Sequence, residues 1–300
     1  MSKKNMYLLG ILATIILGTF LYNKFCCQDC CQEKSQSEVP IAAIDTQNRF
    51  NIAGTDFNYS SFDNFRFLSN DFKNIQPVSD SINMGIDNLK AYFDKNQNQT
   101  LNITGYALSS EKNTSAYPNL GLARANDVKN YFVSKGFKAD RFETFGEIKD
   151  VWKVTNDTVL GPVDFKIKQI EIADKTNKVD WNALKAKINA NPLILYFNTN
   201  QSEITLSAEE RQKIADLSNY LDHVSDASLN CIGNTDNVGN REINMKLGQN
   251  RAEFAKEYLT KNGIAAAKIK ALSNGPDSPI ADNKTAEGKA KNRRTEITLN

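Results

Sequence analysis

Histidine is almost absent from this sequence, which removes the commonest base of nucleophilic catalysis. Of 300 residues, one is histidine and five are cysteine. His223 ends a predicted helix, where a solvated position is expected, and Cys231 lies in a predicted strand. No Cys-His or Ser-His-Asp set is evident, and no motif places two carboxylates for glycan hydrolysis. We therefore expect no catalytic residue, no cofactor and no metal site.

An excess of charge of either sign is also lacking. The formal net charge is +2, from 37 basic and 35 acidic residues, and the sequence has no basic run. Proteins that bind nucleic acid by electrostatic attraction carry a clustered basic surface, so nucleic acid is not an expected partner. The length suggests about two domains besides any targeting segment.

Only one long apolar run occurs, at residues 6–22, after Lys3 and Lys4. Its length is at the short end of what spans a bilayer. No small-x-small cleavage site follows, and Phe25 before Cys26 does not fit a lipoprotein signal. We predict an uncleaved transmembrane signal anchor within residues 1–24, with a cleaved signal as the alternative. The run has no acidic residue, which argues against an ion-conducting segment.

Four of the five cysteines are clustered beyond this run, at Cys26, Cys27, Cys30 and Cys31. They lack a second cluster that would complete a zinc site, so disulfides in an oxidising compartment are the better interpretation. Gly10, Thr14 and Gly18 share one face of the apolar helix and permit close helix pairing. Our hypothesis is a parallel homodimer linked through these cysteines. We predict that residues 25–56 form a cysteine-rich knot and a flexible tether.

A strand, a polar loop and a helix are predicted around residues 229–259. The strand ends at Gly233, and the helix carries four residues at successive i+4 steps, Leu247, Arg251, Ala255 and Leu259. A guanidinium on a core-facing stripe needs an anionic partner or an exit to solvent. Asp236, in the loop, is the nearest candidate. From spacing alone, a structural pair and a ligand site are both open.

This segment resembles the OmpA-like C-terminal domain, a peptidoglycan-binding module of bacterial envelope proteins. The matches to its first motif are Gly233, Thr235, Asp236, Gly239, Asn244, Leu247, Arg251, Ala252 and Leu259. The matches to its closing motif are Asn283, Thr285, Glu287, Gly288, Asn292, Arg293 and Arg294. The departures are Asn234 for His, Gly248 for Ser, Ala255 for Val and Lys289 for Arg. The resemblance covers residues 191–300.

The resemblance implies that Asp236 and Arg251 hold the diaminopimelate of a peptidoglycan stem peptide. The free end of diaminopimelate is a zwitterion, so the acid would take its ammonium and the planar guanidinium its carboxylate. The supporting residues would be Thr235, Asn237, Asn244, Leu247, Asn292, Arg293 and Arg294. The resemblance leaves open whether the last two cover the site or brace Asp236.

Residues 57–172 are interpreted as a degenerate copy of the same module. Three alignments support this, Gly105 on Gly233, Arg124 on Arg251 and Tyr131 on Tyr258. The site itself has decayed, since Leu108 stands in place of Asp236 and Tyr117 in place of Asn244. We expect Arg124 to pair with a nearby acid such as Glu111, and this domain to be a spacer or a protein-binding module.

The predicted fold class is α+β, with two tandem OmpA-like domains after a single transmembrane helix. Each domain would run strand-helix-strand-helix-strand-strand, as a mixed sheet with helices on one face. The predicted bounds are 1–24 for the anchor, 25–56 for the tether, 57–172 for the first domain, 173–190 for the linker and 191–300 for the second domain. A short amphipathic helix is indicated in the linker by Trp181, Leu184 and Ile188.

The leading functional hypothesis is non-enzymatic binding of peptidoglycan that tethers a membrane to the cell wall of a Gram-negative bacterium. A cell-wall hydrolase and an envelope scaffold without a ligand site are the alternatives. The globular domains would lie in the periplasm, with the inner membrane favoured for the anchor and the outer membrane as the alternative.

Overall fold

Alternating apolar residues place one face of each of two sheets in a core. The protein is described here by a computed structural model, which describes Ile15, Leu17 and residues 49–170, 179–196 and 205–300. The predicted membrane anchor, apart from those two helical residues, and the four clustered cysteines lie outside the described residues. Within the part of the chain that is described, no helix is long and apolar enough to cross a membrane.

The N-terminal half, residues 49–170, contains more strands than the predicted six-element order. In chain order it comprises β1 (Phe50–Ala53), β2 (Asn58–Ser61), β3 (Arg66–Leu68), α1 (Asp80–Lys95), β4 (Gln99–Ala107), α2 (Leu120–Ser134), a 3-10 turn (Ala139–Arg141), β5 (Phe142–Ile148), β6 (Val154–Thr155), β7 (Thr158–Leu160) and β8 (Val163–Gln169). The main sheet has the order β2-β1-β8-β4-β5, and a small sheet has the order β3-β7-β6. Its core is rich in phenylalanine.

The first strand lies within the range predicted as tether. Phe50 and Ile52 are fully buried and alternate with exposed neighbours. This strand pairs in parallel with β8, so it belongs to the main sheet. The tether prediction for residues 25–56 therefore extended too far. Two buried apolar residues in a four-residue strand are too few to show a period of two within a polar segment.

The C-terminal half, residues 179–300, is a four-stranded mixed sheet. It comprises α3 (Trp181–Ala190), β9 (Leu193–Tyr196), α4 (Ala208–His223), β10 (Leu229–Asn234), α5 (Arg241–Lys261), a 3-10 turn (Ala266–Lys268), β11 (Ile269–Gly275), α6 (Ala286–Asn292) and β12 (Arg294–Leu299). The order is β11-β10-β12-β9, and β10 is parallel to β11 and antiparallel to β12. Apolar residues of α4 and α5 share one core with the strands. The α+β class and the lead-in helix at Trp181 are confirmed.

Both halves bring a helix backbone directly against the central strand. A Cβ atom on Gly233 would lie 1.8 Å from the carbonyl oxygen of Gly248, and one on Gly105 would lie 2.1 Å from that of Gly121. Neither strand position therefore has room for a side chain. In both halves this strand pairs in parallel with one neighbour and antiparallel with the other. However, β1 is parallel to β8 whereas β9 is antiparallel to β12, and the duplication stays a prediction.

The two halves pack together, and residues 47–300 form one compact unit. The loop before α2 lies on the C-terminal half, where the main-chain N–H of Ala116 donates to Asn262 Oδ1 at 2.8 Å. The hydroxyl of Tyr117 donates to Ser218 Oγ at 3.1 Å, and Lys129 forms a buried ion pair with Asp222. The N-terminal half thus uses the loop between β4 and α2 for docking.

His223 is not the solvated helix terminus that the sequence suggested. Its ring stacks on Trp181, with 4.8 Å between centroids, and its Nε2 lies 3.5 Å from a carboxylate oxygen of Glu143. The prediction was wrong because the N-terminal half covers this end of α4. Burial alone would lower the pKa of His223, but Glu143, the Asn219 carbonyl and the charge of Asp222 together raise it above its ordinary value.

We expect the stability of this compact unit to fall as His223 loses its proton. Because the pKa is higher in the folded state, the stabilisation is complete below the unfolded value of about 6.5 and is lost as the pH rises through the folded value. Urea denaturation from about pH 5.5 to about pH 9 measures this slope. Glu143→Gln should reduce the slope. An unchanged slope in that variant would contradict the assignment to this pair.

Candidate functional site

The loop between β10 and α5 is anchored at both ends. At its start, the main-chain N–H of Thr235 donates to the Gly275 carbonyl at 2.8 Å. At its end, Asn240 Oδ1 caps α5 by accepting from the Glu242 N–H at 2.7 Å. Between these points the Asn244 side chain donates to the Val238 carbonyl at 3.0 Å. These bonds fix the position of Asp236 at the carboxyl end of the central strand.

Asp236 is paired with Arg293, which precedes β12. Arg293 Nη1 donates to Asp236 Oδ2 at 3.0 Å, and Asp236 Oδ1 accepts from the Val238 N–H at 3.1 Å. The side chain of Asp236 is 15% exposed and that of Arg293 is 24% exposed, so the pair is reachable from solvent. The sequence left the role of Arg293 open, and in the structure it braces Asp236.

Arg251 enters the same site from α5 and is only 9% exposed. Its Nη1 donates to the Asn234 carbonyl at 2.9 Å. Burial lowers the pKa of Arg251, the nearby charge of Arg293 lowers it further, and the charge of Asp236 opposes this. The three side chains therefore interact electrostatically, although the ion pair of Asp236 is with Arg293.

The remaining predicted residues divide between scaffold and surface. Asn292 is fully buried, and its Oδ1 accepts from the main-chain N–H groups of Ile280 and Ala281 at 2.8 and 3.0 Å. Arg294 is turned toward the Ser278 carbonyl, and Asn237 is exposed in the loop. Asn292 and Arg294 thus hold the chain around the site, without contacting Asp236.

Leu247 is 41% exposed and does not lie on the buried stripe of α5. The buried residues of this helix are Asn244, Gly248, Arg251, Ala252, Ala255 and Leu259. The expectation that Leu247 shares the face of Leu259 was wrong. Each i+4 step rotates by about 40° beyond a full turn, so three steps displace Leu247 by about 120°.

Arg124 of the N-terminal half, which the sequence aligns with Arg251, also bonds to a main-chain carbonyl and in addition pairs with a carboxylate of its own half. Arg124 Nη1 donates to the Tyr106 carbonyl at 3.0 Å, as Arg251 does to Asn234. Glu111 accepts from both terminal nitrogens of Arg124, at 3.0 and 2.5 Å. The side chains of Arg124 and Glu111 are 0% and 2% exposed, so this pair is sealed. The predicted Arg124–Glu111 pair is confirmed.

The environment of Glu111 favours its ionised form. Burial alone would raise the pKa of this carboxyl, but the bonds from Arg124 and from the Leu108 N–H, at 2.8 Å, lower it below its ordinary value. In the predicted alignment Leu108 stands in place of Asp236. The N–H that bonds to Glu111 therefore comes from the N-terminal loop that corresponds to the Asp236 loop. Among the described residues, no group of three His, Cys, Asp or Glu side chains could hold a metal ion.

Comparisons with known proteins identify part of the chain. Residues 196–293 match the OmpA family model. The probable lipoprotein YiaD of Escherichia coli K12 is 40% identical over 98 residues, which is 33% of this chain and 45% of that protein. Peptidoglycan-binding protein ArfA of Mycobacterium tuberculosis is 38% identical over 107 residues, which is 36% of this chain and 32% of that protein.

Two further comparisons give similar coverage. Outer membrane protein A of Bordetella avium is 38% identical over 117 residues, which is 39% of this chain and 58% of that protein. The crystal structure of the peptidoglycan-associated lipoprotein from Burkholderia pseudomallei has 27% identity and a TM-score of 0.32, and it covers 36% of this chain and 89% of that one. The chain thus spans about half the length, or less, of these curated relatives.

We expect Glu111→Ala to destabilise the protein strongly, because it leaves the buried guanidinium of Arg124 without a counter-charge. Removing one partner of a buried ion pair typically costs about 3–5 kcal/mol of unfolding free energy. Urea denaturation measures the loss. Glu287→Ala, which removes the exposed partner of Lys291, is the matched control and should have little effect. Equal losses in the two variants would mean that the Arg124 pair contributes no more than a surface pair.

Proposed function

We propose that the C-terminal half, with its OmpA family domain at residues 196–293, binds peptidoglycan without acting on it. The observation that carries this proposal is the convergence of Asp236 and Arg251 at the end of the central strand, within the matched residues. Such a pair has the two charges that the zwitterionic end of diaminopimelate requires. The peptidoglycan binding named for the mycobacterial relative is consistent with this proposal.

The geometry supports separate roles for the two residues. Each oxygen of Asp236 accepts one hydrogen bond in the structure, and a carboxylate oxygen has a second lone pair for a ligand ammonium. Arg251 is fixed by its bond to the Asn234 carbonyl, so its planar guanidinium is oriented before a ligand arrives. A pre-oriented fork loses little side-chain entropy on binding a carboxylate.

In the proposed cellular role, the apolar run at residues 6–22 anchors the protein to a membrane of the cell envelope. The C-terminal half would then link that membrane to the cell wall. The cysteines at 26–31 would join two copies, so that each dimer presents two binding sites. Relatives named as a lipoprotein and an outer membrane protein are consistent with an envelope location.

For the N-terminal half we propose a degenerate copy that supports its neighbour and binds no stem peptide. Its arginine already has an internal carboxylate, Glu111, and its loop is docked on the C-terminal half. This arrangement is consistent with a spacer, because contacts within the molecule already occupy the arginine and the loop that would form a binding surface.

We expect Asp236→Ala and Arg251→Ala each to abolish co-sedimentation of the full chain with purified peptidoglycan sacculi. Loss of one member of a desolvated charge pair typically costs about 2–5 kcal/mol of binding free energy, or roughly 30- to 5,000-fold in affinity. Arg241→Ala is the control, because Arg241 lies on the same helix but pairs with Asp277 in solvent. Circular dichroism would establish that each variant is folded.

The same assay separates the three functional hypotheses. Sedimentation without release of soluble fragments supports the binding role. Release of muropeptides would support the hydrolase instead. If the chain neither sediments nor releases muropeptides, the scaffold hypothesis is supported. Sedimentation that persists in both site variants would contradict the assignment of Asp236 and Arg251.

We also expect the Asp236→Ala chain to show no residual binding of a diaminopimelate stem peptide by the N-terminal half. Leu108 has no charge for the ammonium, and Glu111 occupies the guanidinium of Arg124. Isothermal titration calorimetry of the full chain measures this. The stoichiometry should be one peptide per wild-type chain and zero for the variant. Two sites in the wild type would contradict the inert role of the N-terminal half.

A further inference from the structure

Helix α3 lies on α4 with little buried surface. None of its ten residues is fully buried, and a cavity of about 200 Å³ lies between the two helices. At the end of α3 the Asn189 side chain exchanges two hydrogen bonds with the main chain of Leu299, both at 2.8 Å. At its start Trp181 packs edge-on against Tyr220 and stacks on His223. A helix this short gains its stability from packing, so the contacts at its two ends decide whether it stays docked.

Both ring nitrogens of His223 face oxygen acceptors. Nδ1 lies 2.9 Å from the main-chain oxygen of Asn219, and Nε2 lies 3.5 Å from Glu143 Oε1. A neutral imidazole carries one N–H and can donate to only one of these oxygens, whereas the imidazolium donates to both. The stack on Trp181, with 16° between the ring planes, is also stronger for a cation than for a neutral ring. Three contacts of one side chain therefore favour its protonated form.

Two carboxylates face this ring, those of Glu143 on β5 and Asp222 on α4. Asp222 is partly neutralised by Lys129 of α2, with which it forms an ion pair. Burial alone would lower the pKa of His223, but Glu143, the Asn219 carbonyl and the charge of Asp222 raise it. The charged side chains on the other elements next to the end of α4 are Asp180 before α3, Asp140 and Arg141 in the first 3-10 turn and Lys268 in the second. Glu143 thus supplies the main anionic contact of the ring.

We propose that His223 is a pH-sensitive clasp, which holds the start of α3 on α4 while its ring is protonated and releases it when the proton passes to solvent. Deprotonation leaves one ring nitrogen without a hydrogen for its acceptor and weakens the stack on Trp181. The bonds between Asn189 and Leu299 involve amide and main-chain groups, which do not titrate, so the end of α3 stays docked. Release opens the cavity between α3 and α4 and loosens the connection from the N-terminal half, which enters the C-terminal half through α3. This inference is independent of the proposed function.

The experiment follows the two tryptophans of the full chain by fluorine NMR after labelling with 5-fluorotryptophan. The change of each signal between H2O and D2O measures the exposure of that ring to solvent, and Trp181→Phe assigns the signals. Because protonation favours the clasped state, Trp181 should be shielded below about pH 6.5. Its solvent shift should rise toward that of the free amino acid as the pH rises through the raised pKa of His223 to about pH 9. Trp152, which is 9% exposed, should show no such rise.

Variants assign the effect to the pair of His223 and Glu143. In Glu143→Gln the midpoint of the transition should shift to lower pH, because the carboxylate that favours the imidazolium is gone. Glu147→Gln is the matched control, since it removes an equal charge from an exposed position on the same strand and should leave the midpoint unchanged. In His223→Gln the solvent shift of Trp181 should not depend on pH.

Three results would overturn the inference. The first is a Trp181 ring that stays shielded at about pH 9 in the wild type, a result that needs no variant. The second is the same midpoint in folded Glu143→Gln and Glu147→Gln chains, since Glu143 would then have no effect beyond that of any surface charge. The third is a pH-dependent exposure of Trp181 that persists in a folded His223→Gln chain, which would assign the release to another group.

Discussion

The buried arginine on the helix after the central strand is the constraint on which both halves of this molecule depend. In each half its Nη1 is held by the main-chain carbonyl just after the strand glycine, at 3.0 Å for Arg124 and 2.9 Å for Arg251. A main-chain carbonyl supplies a partial negative charge only, so each guanidinium still needs an anion. In the N-terminal half Glu111 pairs directly with the arginine, and in the C-terminal half the charge of Asp236 lies near Arg251.

That difference accounts for the different surroundings of the two arginines. In the N-terminal half the loop is used to bring Glu111 onto the guanidinium and then to pack against the neighbouring half. In the C-terminal half the loop carries Asp236, which is held by Arg293.

Much of the C-terminal site could be predicted from sequence, because its parts are close in the chain. The strand, Gly233, the Asp236 loop and Arg251 all lie within one strand-loop-helix segment, where spacing fixes their relative positions. The pairing of Asp236 with Arg293 spans 57 residues, and only the sheet register determines it. The position of His223 was mispredicted for a similar reason, since its environment is supplied by Glu143 of the other half. Spacing along one helix carries no information about such contacts.

A contact between two glycines positions the arginine in both halves. In both halves a helix backbone touches the central strand at a glycine pair, and the arginine follows three residues later on that helix. This close approach brings the guanidinium within reach of the strand-end carbonyl, because any side chain at the contact would push the helix away. Gly248, where the family has Ser, is thus a departure that the Gly105–Gly121 contact reproduces. The two halves thus share this contact although their loops differ in length and chemistry.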